Sequence, residues 1–260
     1  MSCLCRFALD NDTKKQTNKR MNKNLMHLED LTHFLDEVSF FPLEIPEEEL
    51  CERYERLYTG AVNDVLRELT LMDQALPINI MPLKMEMCKA GIAYTIRSNP
   101  DPTVGGEMEI RAKMLDAMPR NCCVVWDAGD EVEASHWGEV MTASAKARGA
   151  RMAVINGGIR DTRQVLRQEF PLFYRYRTSN GSLGRTKITG YNTPIRIGKT
   201  YIKPGDVIFG DVDGVVVIPR ALAYKVLLRA EEIKGNEKVM KQMVCEGFSA
   251  AEMVKNGGYF

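Results

Sequence analysis

The chain has 260 residues, enough for one large domain or one domain with extensions. Apolar residues make up 45% of it, an ordinary share that supports a sizeable core. The 35 basic and 35 acidic residues cancel, which argues against bulk electrostatic capture of nucleic acid, and no run approaches the length of a membrane-spanning helix.

Residues 1–24 are polar and basic without periodicity and read as a mobile tail, with Met21 a second candidate start. No basic start leads into an apolar stretch, so no secretory leader is expected. A single folded domain is expected over residues 25–260. "PEEELCERYERLY" places Pro46 at a helix start with acids in the first turn, where the helix dipole favours them. "TGAVNDVLREL" (59–69) reads as a second short helix, and "KAGIAYTIRS" (89–98) as a strand. "GEMEIRAKMLDAM" (106–118) is a helix stopped by Pro119. "CCVVWDA" (122–128) is a buried strand ending near Asp127. "GEVMTASAKARG" (138–149) is a helix of small residues closed by Gly149.

"RMAVIN" (151–156) is another buried strand, after which Gly157 and Gly158 are read as a tight turn. "TRQVLRQE" (162–169) is a short helix. From Pro194 to Pro219 short β-rich runs are broken by Gly-Lys, Pro-Gly-Asp and Asp-Gly turns. Asp211 and Asp213 in "GDVDG" lack the rest of a calcium loop and are read as a turn. A last long helix is expected over about 220–246. Helices alternating with strands, followed by strand pairs, give an α/β chain with one main sheet and added hairpins.

Seven cysteines, with no C-x-x-C spacing, fit free thiols in a reducing, cytoplasmic compartment. His27, His33 and His136 are too few for a histidine-rich metal site. A metal would therefore be held mainly by oxygen, which favours Mg²⁺ or Mn²⁺ over Zn²⁺. His136 and Trp137 are read as a packed aromatic loop rather than a pocket wall.

Two strand-to-helix junctions concentrate the chemistry. At the first, the amides of Gly138, Glu139, Val140 and Met141 open a helix and lack intrahelical acceptors, so they attract an anion unless they are an ordinary helix start. At the second, Arg160 and Asp161 stand together at a helix entrance. Asp161 is either an N-cap beside a surface arginine or a metal-holding carboxylate beside a working guanidinium. Both junctions fall at the carboxyl ends of strands, where open α/β sheets bind ligands. Together they suit a small 2-oxo acid: amides for its carboxylate, a cation site for its keto oxygen, and Arg160 for the oxyanion that forms when a C–C bond breaks.

The pieces "TGAVNDVL", "GIAYT", "WGEVMTASAKARGARMAVINGGIRD", "FPLFYR" and "KPGDVIFGDVDGVVVIP" lie in order between about residues 55 and 220. In that combination the chain resembles the RraA-like family, which includes class II 4-hydroxy-4-methyl-2-oxoglutarate aldolases with oxaloacetate decarboxylase activity and the regulator of ribonuclease E activity. The resemblance implies an α/β/β sandwich like the phosphohistidine swivelling domain, ending in a long C-terminal helix. It implies a lyase in which Asp161 binds Mg²⁺ or Mn²⁺ directly and Glu139 reaches it through water. Arg160 contacts the substrate, and Gly138 to Met141 cradle its carboxylate. Glu237, from a neighbouring subunit of a homotrimer or hexamer, would also act through water. A membrane or nucleic-acid partner is not expected.

Gln164 departs from the aldolase pattern, which has an acid there; a neutral amide supplies neither a base nor a charge. The alternative is a non-catalytic, protein-binding regulator of ribonuclease activity on the same scaffold. A methyltransferase reading lacks a glycine-rich strand-to-helix loop for an adenosyl cofactor. The long basic segment 175–187 offers Arg175, Arg177 and Arg185 either as readers of a second carboxylate or phosphate or as solvated charges.

Overall fold

The computed structural model describes residues 41–129 and 131–255. The tail expected over residues 1–24, with His27 and His33, lies outside them.

Four parallel strands form the centre: β2 (Lys89–Pro100), β3 (Cys122–Asp127), β5 (Met152–Ile159) and β6 (Leu172–Arg177). Helices α3 (Glu107–Asp116), α4 (Glu139–Ala147) and α5 (Thr162–Arg167) join them in turn. A three-residue strand, β4 (Ser135–Trp137), runs parallel to the far end of β5. β3 and β5 are buried along almost their whole length, as strands covered on both faces must be.

The two faces of β3 divide the core. Cys122, Val124 and Trp126 meet Met114 of α3, Met141 and Ala145 of α4, and Val165 of α5. Cys123 and Val125 point the other way, onto a second apolar layer with Ile195, Ile197 and Ile202 of the small hairpin β8 (Ile195–Ile197) and β9 (Thr200–Ile202). Each fully buried large side chain contributes roughly 1.5–3 kcal/mol, so this period-2 alternation fixes the register. A third cluster lies under α1 (Glu47–Tyr54), α2 (Thr59–Glu68) and the long α6 (Ala223–Cys245). Tyr54 locks α1 to α6 by donating its hydroxyl to Ala223 O at 2.6 Å.

The sheet runs β1 (Met81–Pro82), β6, β5, β3, β2, β10 (Val207–Asp211) and β11 (Gly214–Ile218), with β7 (Thr186–Tyr191) also on β2. β10 (Val207–Asp211) and β11 (Gly214–Ile218) form a tight antiparallel hairpin. The chain between α2 and β2 nearly closes this sheet on itself. Leu76 N donates to Val215 O at 2.9 Å and Val217 N to Gln74 O at 2.8 Å, which covers the β11 edge. A few residues on, β1 (Met81–Pro82) pairs with β6, and Leu83 N donates to Leu172 O at 2.8 Å. Helices, sheet and inner hairpin layer make the expected α/β/β architecture.

Asp211 ends β10 as a structural anchor. Its carboxylate accepts from Thr59 N at 2.7 Å, Thr59 Oγ1 at 2.8 Å and Asp213 N at 2.9 Å. It thereby satisfies the start of α2 from across the fold.

The last helix spans the expected range, opening as a 3₁₀ turn at Arg220–Leu222 and continuing as α-helix over Ala223–Cys245. One expectation is corrected. Gly157 and Gly158 are not a turn; they are buried residues inside β5. A Cβ on Gly158 would lie 2.4 Å from Ala134 O and 2.5 Å from Tyr176 Cε2, and one on Gly157 would lie 2.8 Å from Ala128 Cβ. The glycines let β4 and its approach run hard against β5. Among the described residues no helix is long and apolar enough to cross a membrane.

Candidate active site

The end of β5 is tied to the end of β4 by Arg160 N donating to Trp137 O at 2.9 Å. That bond sets two helix entrances side by side. α4 begins after Gly138, and its first helical bond runs from Thr142 N to Gly138 O. The amides of Glu139, Val140 and Met141 thus precede the helical ladder and face outward from its positive end. Thr142 stiffens the entrance: its hydroxyl donates to Gly138 O at 2.9 Å and accepts from Trp137 Nε1 at 2.8 Å.

Asp161 stands at the N-cap position of α5, yet makes no side-chain cap bond there. Its backbone is left-handed, with φ 53° and ψ 33°. For a residue with a side chain that costs roughly 1–2 kcal/mol. The distortion turns the carboxylate away from its own helix and toward α4. Glu139 N donates to Asp161 Oδ2 at 3.3 Å, and Arg160 Nε lies 3.7 Å from the same oxygen. Gly138 has an ordinary extended φ of −161°, so its small size is required by space: a Cβ there would lie 2.7 Å from Asp161 Oδ2.

These groups line a cavity of about 90 Å³, together with Arg111, Ser135, His136, Trp137, Met141 and Ser182. That is room for a few waters or one small acid. A second, more open cleft lies against Arg160 and Asp161, beside Arg177, Thr178 and Ser179.

His136 and Arg111 carry the least expected features. His136 is 1% exposed, packs on Trp126 at 5.8 Å, and neither ring nitrogen has a hydrogen-bond partner among the described residues. Burial, helped by the Arg111 charge, pushes its pKa down to about 4, so it is neutral at pH 7. An unsatisfied buried polar group costs roughly 1–3 kcal/mol. Arg111 lies over the Trp126 ring at 5.6 Å and donates through Nη2 to Glu107 Oε1 at 2.6 Å and Ser182 Oγ at 3.1 Å. Glu107 is itself 1% exposed and accepts from Ile188 N at 3.1 Å, which makes it a fixed post.

The other residues singled out in the sequence are placed as follows. Glu139 lies at the rim with an exposed side chain. Gln164 is exposed and does not line the cavity. Arg177 is exposed and lies over the Tyr174 ring at 5.2 Å. Arg185 is exposed and donates to Gly181 O at 3.1 Å. Neither these two nor the half-buried Arg175 enter the cavity. Glu237 accepts from Tyr58 Oη and pairs with Lys241 at 3.5 Å, in a separate cleft on α6. His136, expected to be mere packing, lines the cavity, and the sequence reading missed Arg111 and Ser182 altogether.

Of the two carboxylate residues that line the cavity, Glu139 and Asp161, the second is held against the α4 entrance through Oδ2, and its Oδ1 has no hydrogen-bond partner among the described residues. Those residues hold no cluster of three or more histidine, cysteine, aspartate or glutamate side chains that would cage a metal. The donor set fits a hard cation such as Mg²⁺, which keeps waters and takes further oxygens from its ligand.

A family model described as "RraA-like: Aldolase/RraA" matches residues 59–217, a span holding the α4 amides, Arg160 and Asp161. The chain belongs to the RraA-like family. It is 29% identical over 198 residues to a Halalkalibacterium halodurans protein that carries the provisional name 4-hydroxy-4-methyl-2-oxoglutarate aldolase, covering 76% of this chain and 90% of that one. It is 27% identical over 170 residues to the Legionella pneumophila protein DlpA, covering 65% of this chain but spanning only 28% of the length of DlpA. A solved structure described as one of novel cellulases from microbes associated with the gut ecosystem is 52% identical, with a TM-score of 0.80, covering 85% of this RraA-like chain and 99% of that one.

Proposed function

We propose that this RraA-like protein is a divalent-metal-dependent lyase that cleaves a C–C bond of a small 2-oxo acid, by retro-aldol reaction or decarboxylation through a pyruvate-type enolate. One observation carries the reading. The Asp161 carboxylate is held against the open end of α4, 3.3 Å from Glu139 N, at the cost of a left-handed backbone and a forgone helix cap. An aspartate serving only the fold would have capped α5.

The roles follow from position. The Glu139, Val140 and Met141 amides receive the substrate carboxylate. Asp161 would hold Mg²⁺ or Mn²⁺, with Glu139 reaching it through water and Glu237 doing so from a neighbouring subunit of a homo-oligomer. When bound, the ion supplies Lewis-acid polarisation of the keto group. Arg160 stabilises the enolate oxygen as the bond breaks. The cavity of about 90 Å³ supports a small acid over a glucan chain, and glycoside hydrolysis needs two carboxylates set across a sugar.

The test is pyruvate release from oxaloacetate and a panel of 4-hydroxy-2-oxo acids by the full chain with Mg²⁺ or Mn²⁺. Expected are turnover, its loss in EDTA, and a fall of about 10²–10³-fold in kcat for Arg160→Ala. No turnover on any member of the panel ends this reading. Gln164, neutral and exposed, favours a second one, in which the scaffold binds and regulates a ribonuclease. Capture of a ribonuclease that survives EDTA and Asp161→Asn would then replace the lyase.

A further inference from the structure

We infer that His136 is a further catalytic residue: from the buried floor of the cavity its ring donates one hydrogen bond to the keto oxygen of the 2-oxo acid. This rests on the lyase reading and adds to it a group that belongs to neither helix entrance. His136 is the middle residue of β4.

The cavity has an open mouth and a closed floor. Glu139, Val140, Arg160 and Asp161 are exposed at the mouth, whereas His136 is buried. The ring is backed against β5: a Cβ on Gly157 would lie 2.9 Å from Nδ1 and 3.5 Å from Cε1. The absence of a side chain at Gly157 makes that close seat possible. With Nδ1 against the strand, the Nε2–Cδ2 edge is turned away from it. Nε2 is the nitrogen left to meet a ligand.

The neighbouring ring N–H groups are used by the protein itself. Trp126 Nε1 donates to Ser98 Oγ at 3.0 Å, and Trp137 Nε1 donates to Thr142 Oγ1 at 2.8 Å. His136 packs on the first indole and adjoins the second in sequence, yet neither of its nitrogens has a partner among the described residues. Buried polar groups are almost always satisfied, and one left over beside a cavity points to something that enters the cavity.

Charge selects the oxygen. The substrate carboxylate is an anion and goes to the α4 amides. Burial and the Arg111 charge keep the imidazole neutral. A neutral donor suits the keto oxygen, which is uncharged before the C–C bond breaks. The hydrogen bond then strengthens as that oxygen takes on enolate charge, which lowers the barrier rather than only tightening binding.

The experiment follows the histidine ring N–H signals of the Mg²⁺-loaded full chain by NMR as oxalate, an enolate mimic, is added. Calorimetry on the same samples reports binding. The chain has three histidines, so the set missing from His136→Phe belongs to His136. Its Nε2-bound proton is expected to move downfield as oxalate fills the site. On the best 2-oxo acid, His136→Phe is expected to lose about 10²-fold in kcat, as for a lost oxyanion donor. His136→Gln, whose amide N–H can take the Nε2 position, restores most of it. If oxalate binds and the His136 signals stay still, the inference falls and the lyase stands. If the Phe variant turns over like wild type, or if Phe and Gln lose activity alike with the fold intact, the ring is packing and the inference falls. If oxalate does not bind and no 2-oxo acid is turned over, both readings fall together.

Discussion

Two aspartates end two strands of this fold, and they are used in opposite ways. Asp211, at the end of β10, is buried and accepts three hydrogen bonds no longer than 2.9 Å, all from the protein itself. Asp161, just past β5, is 39% exposed at its side chain and strained in its backbone, and its carboxylate has a single hydrogen bond among the described residues, at 3.3 Å. The first carboxylate is consumed by folding. The second is kept short of partners, which is how a group is kept ready for a ligand. Residue type and a neighbouring glycine do not separate the two cases; the donors within reach do.

The same substitution at both sites breaks this contrast most sharply. Asp161→Asn retains a side chain that tolerates the left-handed backbone. It is expected to abolish metal-dependent pyruvate release while urea unfolding shifts by no more than about 0.5 kcal/mol. A large loss of stability there would make Asp161 a second Asp211.

His136 extends the contrast to acid pH. Its folded pKa of about 4 lies below the ordinary 6.5, so protons prefer the unfolded chain between those values. Its contribution is complete above about pH 6.5 and is lost as pH falls toward 4, amounting to about 3 kcal/mol. Asp206 has the opposite sign, since burial pushes its pKa up to about 6 and its contribution fades as pH rises through that value. Comparing urea unfolding of wild type and His136→Gln from pH 7 to pH 4 cancels Asp206. The variant is expected to lose less stability; equal slopes would mean that His136 is solvated.

Asp211→Asn should show the reverse of Asp161→Asn. It turns an amide toward the donors of Thr59 and Asp213. The expected cost is about 1–3 kcal/mol in urea unfolding, with activity per folded molecule unchanged. The smallest effect is Gly138→Ala. Its methyl would displace a carboxylate oxygen 2.7 Å away, so activity should fall about tenfold, ~1.4 kcal/mol, with little change in melting temperature.

Much of the fold was readable because period and burial agree. "CCVVWDA" reads as a strand over 122–128, and β3 covers Cys122–Asp127. The helix at 106–118 appears as Glu107–Asp116. Gly157 and Gly158 misled because a tight turn and a crowded strand ask for the same residue; only Ala134 and Tyr176, distant in sequence, distinguish them. β4 has three residues, too few to show alternation. The pairing of α4's entrance with Asp161 was legible from the strand-end positions. Arg111 was not, because an arginine in "GEMEIRAKML" looks like any solvated helix charge until Trp126 and Ser182 are seen beside it.

The stretch that covers both rims of the sheet works as a clasp. Between its grip on β11 at Gln74 and Leu76 and its grip on β6 at Met81 and Leu83, Ile78 is 96% exposed. A single proteolytic nick there would touch no side chain that lines the cavity beside Asp161. It would still unfasten both rims at once, offering two unguarded strands to any neighbouring chain.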